Sequence, residues 1–274
     1  MEDRSEHAAL ERTQRSGLGL GLLFWLFMLA GLVGTLYARR AWWFPPLASR
    51  EGADLDWLFD VTLWTTGLVF ILIHVLLGYF VIRYRARPGA RAHYFPFHLK
   101  LELTYTIIPA IAMVALSVAG LVLWLRITLA SPADAHVVEV RGEQFAWTAR
   151  YPGPDGQLGR TDLRVREPFN VDPTDPAAAD DIVSPEILLV VDRPARVLLR
   201  TRDVQHSFFV PAFRMKKDLV PGATTEIVFT PTQTGTFDLA CAELCGVGHY
   251  TMRGQVRVVT QEEFDRWMAE QARR

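Results

Sequence analysis

The chain has 274 residues, half of them hydrophobic and 22% charged, with two cysteines and a formal net charge of −1. That mixture is unlike one globular domain of ordinary composition, and with charge so nearly balanced no nucleic-acid partner is expected. It resolves when the chain is divided near residue 130. The first part carries +3 and three long uncharged runs; the remainder carries −4 and is polar and rich in β-branched residues.

The uncharged runs span 16–38, 61–82 and 103–125. Each is long enough to cross ~30 Å of hydrocarbon at ~1.5 Å rise per residue, so residues 1–130 read as a transmembrane anchor. The first run could serve as the apolar region of a signal peptide. However, "TLYARRA" places Leu36 where a cleavage site needs a small residue, and a retained helix is expected. Between the second and third runs, "RYRARPGARAHYFPFHLK" (83–100) carries Arg83, Arg85, Arg87, Arg91 and Lys100 with no acid, which assigns it to the cytoplasm. Residues 131–274 then lie outside the cytoplasm, on the periplasmic or extracellular side of a bacterial cell membrane. Trp42, Trp43, Phe44, Trp57 and Trp124 fall near the outer interface. His74, within "FILIHVLLGY", is an ionisable residue at mid-membrane depth and so a functional candidate by default; an interhelical hydrogen bond is its expected role. Glu102 stands at the cytoplasmic mouth of the third run.

Beyond residue 130, alternation in "HVVEVRGEQFAWTARYP" (136–152) predicts strand structure. "EILLVVDRPARVLLRTRD" (186–203) reads as two strands around Asp192–Pro194. "TTEIVFTPTQTGTFDLAC" (224–241) gives two more and "GQVRVVT" (254–260) a last one. The Pro-, Asp- and Gly-dense stretch between 152 and 186 reads as a surface loop, and residues 261–274 as a short amphipathic helix. Short strands separated by turns predict an all-β sandwich or barrel over 131–260.

"CAELCGVGHYTM" (241–252) gathers both cysteines with a histidine and a methionine. A disulfide is a common fate for two cysteines in an exported domain, and Cys-x3-Cys also falls within zinc spacing. Were the segment helical, residues 241, 245, 249 and 252 would form a stripe about 16 Å long, too long to converge on one centre. Gly246 and Gly248 allow the backbone to curl into a ligand loop instead. Thiolate, imidazole and thioether together suit copper, and two cysteines at this spacing call for two bridging thiolates.

The segment closely resembles the C-x-E-x-C-G-x-x-H-x-x-M signature of the dinuclear copper domain in cytochrome c oxidase subunit II. "DVQHSFFVPAFRMKKDLVPG" (203–222) is similar to the family segment bearing the first histidine ligand. "LELTYTIIPAIAM" (101–113) resembles the start of a family transmembrane helix, and "GEQFAWTARYP" the aromatic segment ahead of the copper strands. The resemblance implies a cupredoxin-like Greek-key domain behind the helical anchor. The additional first helix departs from the family's two-helix hairpin and implies a cytoplasmic amino terminus.

Carried over by residue, the resemblance implies that Cys241 and Cys245 bridge two copper ions. His206 and Met252 would complete one ligand set, and His249 with the backbone carbonyl of Glu243 the other. It implies that the Glu243 side chain helps to hold magnesium at the border with subunit I. Glu102 would stand at the entrance of a proton path, and Asp203 would take part in docking the donor, a turn-capping role being the alternative. In the family's Gln-Trp-aromatic-Trp segment the first tryptophan receives the electron; here "QFAW" has Phe145 at that position and Trp147 two residues on. On a strand the two would share a face, ~6.8 Å apart, with Phe145 the expected contact and Trp147 either a second contact or a core residue. The implied partners are oxidase subunits I and III, a cytochrome c donor and membrane lipid, with no haem in this chain, since C-x-x-C-H does not occur. A quinol oxidase subunit is disfavoured because every copper ligand is present. The copper-bearing subunit of a nitric oxide reductase is the remaining alternative.

Overall fold

The computed structural model describes residues 2–273 apart from 88, 130, 131, 163, 164, 166–168 and 170, with side chains described from residue 16 onward. Among the described residues, three helices, α1 (Glu2–Ala41), α2 (Arg50–Arg83) and α3 (Leu99–Thr128), precede ten strands and a final helix, α4 (Gln261–Gln271). Within the first three helices, Ser16–Ala41, Arg50–Arg83 and Leu99–Thr128 are long and apolar enough to cross a membrane. Their large side chains are mostly exposed, the pattern expected where lipid is the solvent.

The chain divides into two compact units, residues 1–43 with 58–119 and residues 44–57 with 120–274. In the first, small residues let α1 and α2 approach closely. A Cβ added at Gly78 would lie 2.3 Å from Trp25 Nε1, and one at Gly21 2.4 Å from Ile82 Cγ1. Trp25 Nε1 donates to the Val75 carbonyl at 3.3 Å, and Arg39 forms a two-pronged ion pair with Asp60 at 2.7 and 2.6 Å. The expected interhelical hydrogen bond of His74 is replaced by one within its own helix, from Nδ1 to the Phe70 carbonyl at 2.8 Å. Its contact across to α1 is ring stacking on Phe27, with centroids 6.0 Å apart. A helical turn always offers a carbonyl four residues back, which satisfies the imidazole without a partner helix.

In the second unit the strands are β1 (His136–Glu143), β2 (Ala146–Tyr151), β3 (Ile182–Ser184), β4 (Ile187–Val190), β5 (Ala195–Thr201), β6 (His206–Val210), β7 (Met215–Leu219), β8 (Thr225–Phe229), β9 (Gly235–Cys241) and β10 (Arg253–Val259). They build two five-stranded sheets, ordered β3-β2-β1-β5-β8 and β4-β10-β9-β6-β7. Strand β1 runs parallel to β5 and β10 parallel to β4; the other pairs are antiparallel. The turn read at Asp192–Pro194, with Asp192 at φ +57°, carries the chain from one sheet to the other. So does "PTQTG" between β8 and β9. These short links therefore close a sandwich rather than hairpins. Val138, Val140, Val197 and Leu199 from one sheet join Phe208, Val210, Leu239, Val256 and Val258 from the other in one buried cluster.

The segment between β2 and β3 is more than a surface loop. It includes a 3-10 turn at Pro176–Ala178 and packs Phe169 beneath the guanidinium groups of Arg141 and Arg150, 5.4 and 5.6 Å from the ring centre. Under this cover Glu139 is buried in ion pairs with Arg150 and Arg200, and Arg150 also reaches Asp181 at 2.9 Å. Burial pushes the Glu139 carboxyl up, and the two guanidinium groups oppose that shift. Residues 44–57 are fastened to the same unit. Ser49 Oγ donates to the Phe213 carbonyl at 2.7 Å, Glu51 accepts from Thr230 N at 2.8 Å, and Arg214 grips Asp56 at 2.9 and 3.0 Å. Helix α4 starts on a capping box at Thr260 and Glu263, which satisfies its first amide donors.

His136 begins β1 and stacks among Tyr151 and Phe264, with Nε2 3.4 Å from the Leu188 carbonyl. Burial lowers its pKa from the ordinary 6.5 to about 4. Below pH 6.5 the unfolded chain takes up a proton that the folded chain refuses, so stability falls as the pH drops and levels off below about 4. The full loss is ~3 kcal/mol. We expect the urea midpoint of the detergent-solubilised chain to fall over this range by more than that of His136→Phe. Parallel pH profiles for the two would show that His136 takes no part in the acid sensitivity.

Candidate metal centre

Strand pairing sets the centre. In the β6–β9 pair Phe208 lies opposite Cys241. His206 is two residues from Phe208 and so shares its face, which brings its ring diagonally to Cys241. On the other side of β9, Cys241 N donates to the Met252 carbonyl at 3.2 Å, fixing the start of β10 beside the end of β9. The intervening residues form the ligand loop. Gly246 takes φ +128°, a conformation that favours glycine, and a 3-10 turn at His249–Thr251 brings His249 back toward Cys245.

Six donors converge. The Cys241 and Cys245 sulfurs are 3.8 Å apart and unbonded. Cys241 Sγ lies 3.8 Å from His206 Nδ1 and 3.1 Å from the Glu243 carbonyl. Cys245 Sγ lies 3.5 Å from His249 Nδ1 and 3.7 Å from Met252 Sδ. The donor atoms of His206, Cys241 and Cys245 all fall within 4.8 Å of one another, and these three residues are buried. Two thiols, two imidazoles, a thioether and a carbonyl form a soft set that fits copper and is poorly suited to an oxygen-loving cation.

Burial, followed by the neighbouring Cys241, pushes the Cys245 thiol up to about 11. Asp203 has the reverse balance. Burial raises its carboxyl, but hydrogen bonds from His206 Nε2 and from the Gln144 and Val204 amides together hold it below the usual range.

The aromatic pair is arranged differently from the expectation of two rings on one strand face. Glu143 pairs with Ala146, so Gln144 and Phe145, joined by a cis peptide bond, form the turn between β1 and β2. The Phe145 ring lies over the ligand loop, where a Cβ added at Gly248 would meet it at 2.6 Å. Trp147 is only 7% exposed and sits edge-on to His206, ring centroids 6.3 Å apart. Glu102 lies in the first turn of α3, away from the donor cluster in sequence. Gln144, which carried no sequence-level assignment, donates its side-chain amide to the Cys245 carbonyl. Its position in "GEQFAW" was the available signal, but a neutral amide has no metal-ligand chemistry to mark it.

Comparison with known proteins follows the same lines. The family model described as "Cytochrome C oxidase subunit II, periplasmic domain" matches residues 136–259, and the one described as "Cytochrome C oxidase subunit II, transmembrane domain" matches residues 38–123. The "Alternative cytochrome c oxidase subunit 2" of Bradyrhizobium diazoefficiens is 36% identical over 259 residues, covering 93% of this chain and 92% of that protein. The chain belongs to the cytochrome c oxidase subunit II family. A further subunit II relative, "Cytochrome c oxidase subunit 2" of Thermostichus vulcanus, is 31% identical and covers 81% of this chain and 76% of that protein. Among solved structures, the periplasmic domain of subunit II of cytochrome oxidase from Bradyrhizobium japonicum is 29% identical, with a TM-score of 0.39, covering 52% of this chain and 96% of that one. Membership in the subunit II family implies copper as the metal, in agreement with the donor set.

The contact between Phe145 and Gly248 gives a test of the loop geometry. Gly248→Ala should displace the loop and weaken copper uptake, and adding Phe145→Ala should restore much of it by making room. Comparing the copper content of the single and double variants checks this; no recovery in the double variant would locate the strain elsewhere.

Proposed function

We propose that this chain is the electron-accepting subunit of a cytochrome c oxidase in a bacterial cell membrane. It takes electrons from a cytochrome c outside the cytoplasm and passes them to haem in subunit I, where oxygen is reduced to water and protons are translocated. The observation that carries this reading is the convergence of six soft-weighted donors, from His206 and the 241–252 loop, in a chain of the subunit II family.

In this reading Cys241 and Cys245 would supply the two thiolates that hold a pair of copper ions. His206 and Met252 would complete one ligand set, and His249 with the Glu243 carbonyl the other. When bound, the pair of coppers supplies a one-electron redox couple whose charge is shared through the two thiolates. The residues of the chain provide the setting. His206, Cys245 and Met252 are buried and Phe208 and Leu239 are packed in the core, so that little solvent need reorganise around these donors when charge changes. The ends of β6, β9 and β10 fix the first ligands, and the loop supplies the rest. Phe145, over the loop, is the proposed contact for the donor, and Trp147 lies edge-on to His206. Glu243 would hold magnesium at the subunit I border through its side chain, Glu102 would stand at a proton-path entrance, and Asp203 would contribute to donor docking. Subunit III and membrane lipid complete the set of partners.

Two experiments test this reading. The purified chain should bind two coppers and become purple on oxidation. Cys245→Ser should abolish the pair, because a bridging sulfur is lost, while Met252→Leu should retain both ions and change the spectrum, the thioether being a weak ligand. Metal analysis giving one zinc, or equal copper loss in both variants, would refute the assignment of roles.

The second experiment concerns the donor contact. Phe145→Ala should slow electron transfer from cytochrome c by roughly tenfold, the equivalent of ~1.4 kcal/mol of barrier, and Trp147→Phe should slow it less. Stopped-flow mixing with reduced cytochrome c reads both rates. A wild-type rate in Phe145→Ala would move the contact to another surface.

A further inference from the structure

Asp203 and Gln144 are held in one chain of hydrogen bonds that ends on two different metal-ligand segments. Asp203 Oδ1 lies 2.8 Å from His206 Nε2 and accepts from Val204 N at 2.7 Å, while Oδ2 accepts from Gln144 N at 2.8 Å. Thr201 Oγ1 adds a weaker contact to Oδ1 at 3.3 Å. From the same residue, the Gln144 side-chain amide donates to the Cys245 carbonyl. One carboxylate thus ties the start of β6, the β1–β2 turn and the ligand loop together. These three segments are far apart in sequence.

We infer that Asp203 and Gln144 are positioning residues for the metal centre, one fixing the His206 imidazole and the other fixing the ligand loop at Cys245. An ionised carboxylate can only accept, so its contact with Nε2 requires the proton to be there. The lone pair of the neutral ring is then on Nδ1, the atom that faces Cys241 Sγ at 3.8 Å. A histidine ligand held by a carboxylate in this way keeps one tautomer and one ring orientation. Gln144 extends the hold to the other ligand segment: its backbone amide is pinned by Asp203 while its side chain pins the carbonyl of Cys245. His206 is fully buried, so water does not stand in for the carboxylate. Both oxygens of Asp203 are already engaged inside the domain. The inference rests on the proposed copper reading for its second readout only.

The test uses the detergent-solubilised full chain in wild-type form and as Asp203→Asn, Gln144→Ala and Thr201→Val. Asparagine keeps the shape of the side chain but has one acceptor oxygen in place of two, so it cannot serve His206 Nε2 and the Gln144 amide together. With 15N-histidine labelling and no metal, His206 should show a single Nε2–H tautomer in wild type and in Thr201→Val, and a mixture in Asp203→Asn. With copper added, Asp203→Asn and Gln144→Ala should each bind roughly 10–100-fold more weakly, with altered visible and EPR spectra, and Thr201→Val should match wild type. A single tautomer persisting in Asp203→Asn, or wild-type affinity and spectra in both Asp203→Asn and Gln144→Ala, would overturn the inference. If the wild-type chain shows the fixed tautomer but takes up no copper pair, the copper reading fails and the positioning of His206 by Asp203 stands.

Discussion

A slip of one residue between β6 and β9 would send Cys241 to the opposite face of its strand, because side chains alternate with a period of two. It would also take His206 away from the sulfur it now approaches. The metal centre therefore depends on that register more than on any single ligand. Register is secured by burial. Phe208, Val210 and Leu239 point into the sandwich, and a slip would turn these buried side chains outward. The same apolar packing that folds the domain thus aligns the donors.

The opposite face of the first sheet meets a different demand. Strand β1 alternates Val138 and Val140 with Glu139 and Arg141, a pattern that ordinarily leaves one face to water. Here both faces are buried, since the segment between β2 and β3 covers the polar side. A buried carboxylate is tolerated only with close partners, and Glu139 has two, Arg150 and Arg200. Arg150 then bonds Asp181 and the Gly159 carbonyl, both within the covering segment. The long insertion is tied to the sheet by this network, which keeps the neighbouring β1–β2 turn, and with it Gln144 and Phe145, on a fixed base.

Much of this was legible in the sequence, for identifiable reasons. Three apolar runs announce helices because hydrocarbon thickness sets their length. The spacing in "CAELCGVGHYTM" announces a ligand loop because glycine permits the curl at Gly246. Strands β6 and β7 were harder to see: "HSFFV" has a polar start and "MKKDL" little alternation, and both are fixed by pairing with β9 and with each other. The placement of Phe145 was misread because alternation cannot distinguish a strand residue from the turn residue beside it. No ligand chemistry marks Gln144, and its partners are 59 and 101 residues away. Contacts made across such separations belong to the fold and not to the segment.

Burial of the donors has a chemical consequence as well as a structural one. A thiolate in an apolar pocket loses its hydration, and a second sulfur close by adds repulsion, so the Cys245 thiol is driven up to about 11. Both effects favour the neutral thiol of Cys245 over its thiolate. A metal cation bound there would supply positive charge to the sulfurs, and its binding would displace the thiol proton. Loading would then be favoured by higher pH. The packing that buries the two sulfurs would thus also make a bound cation, rather than water, the group that offsets their charge.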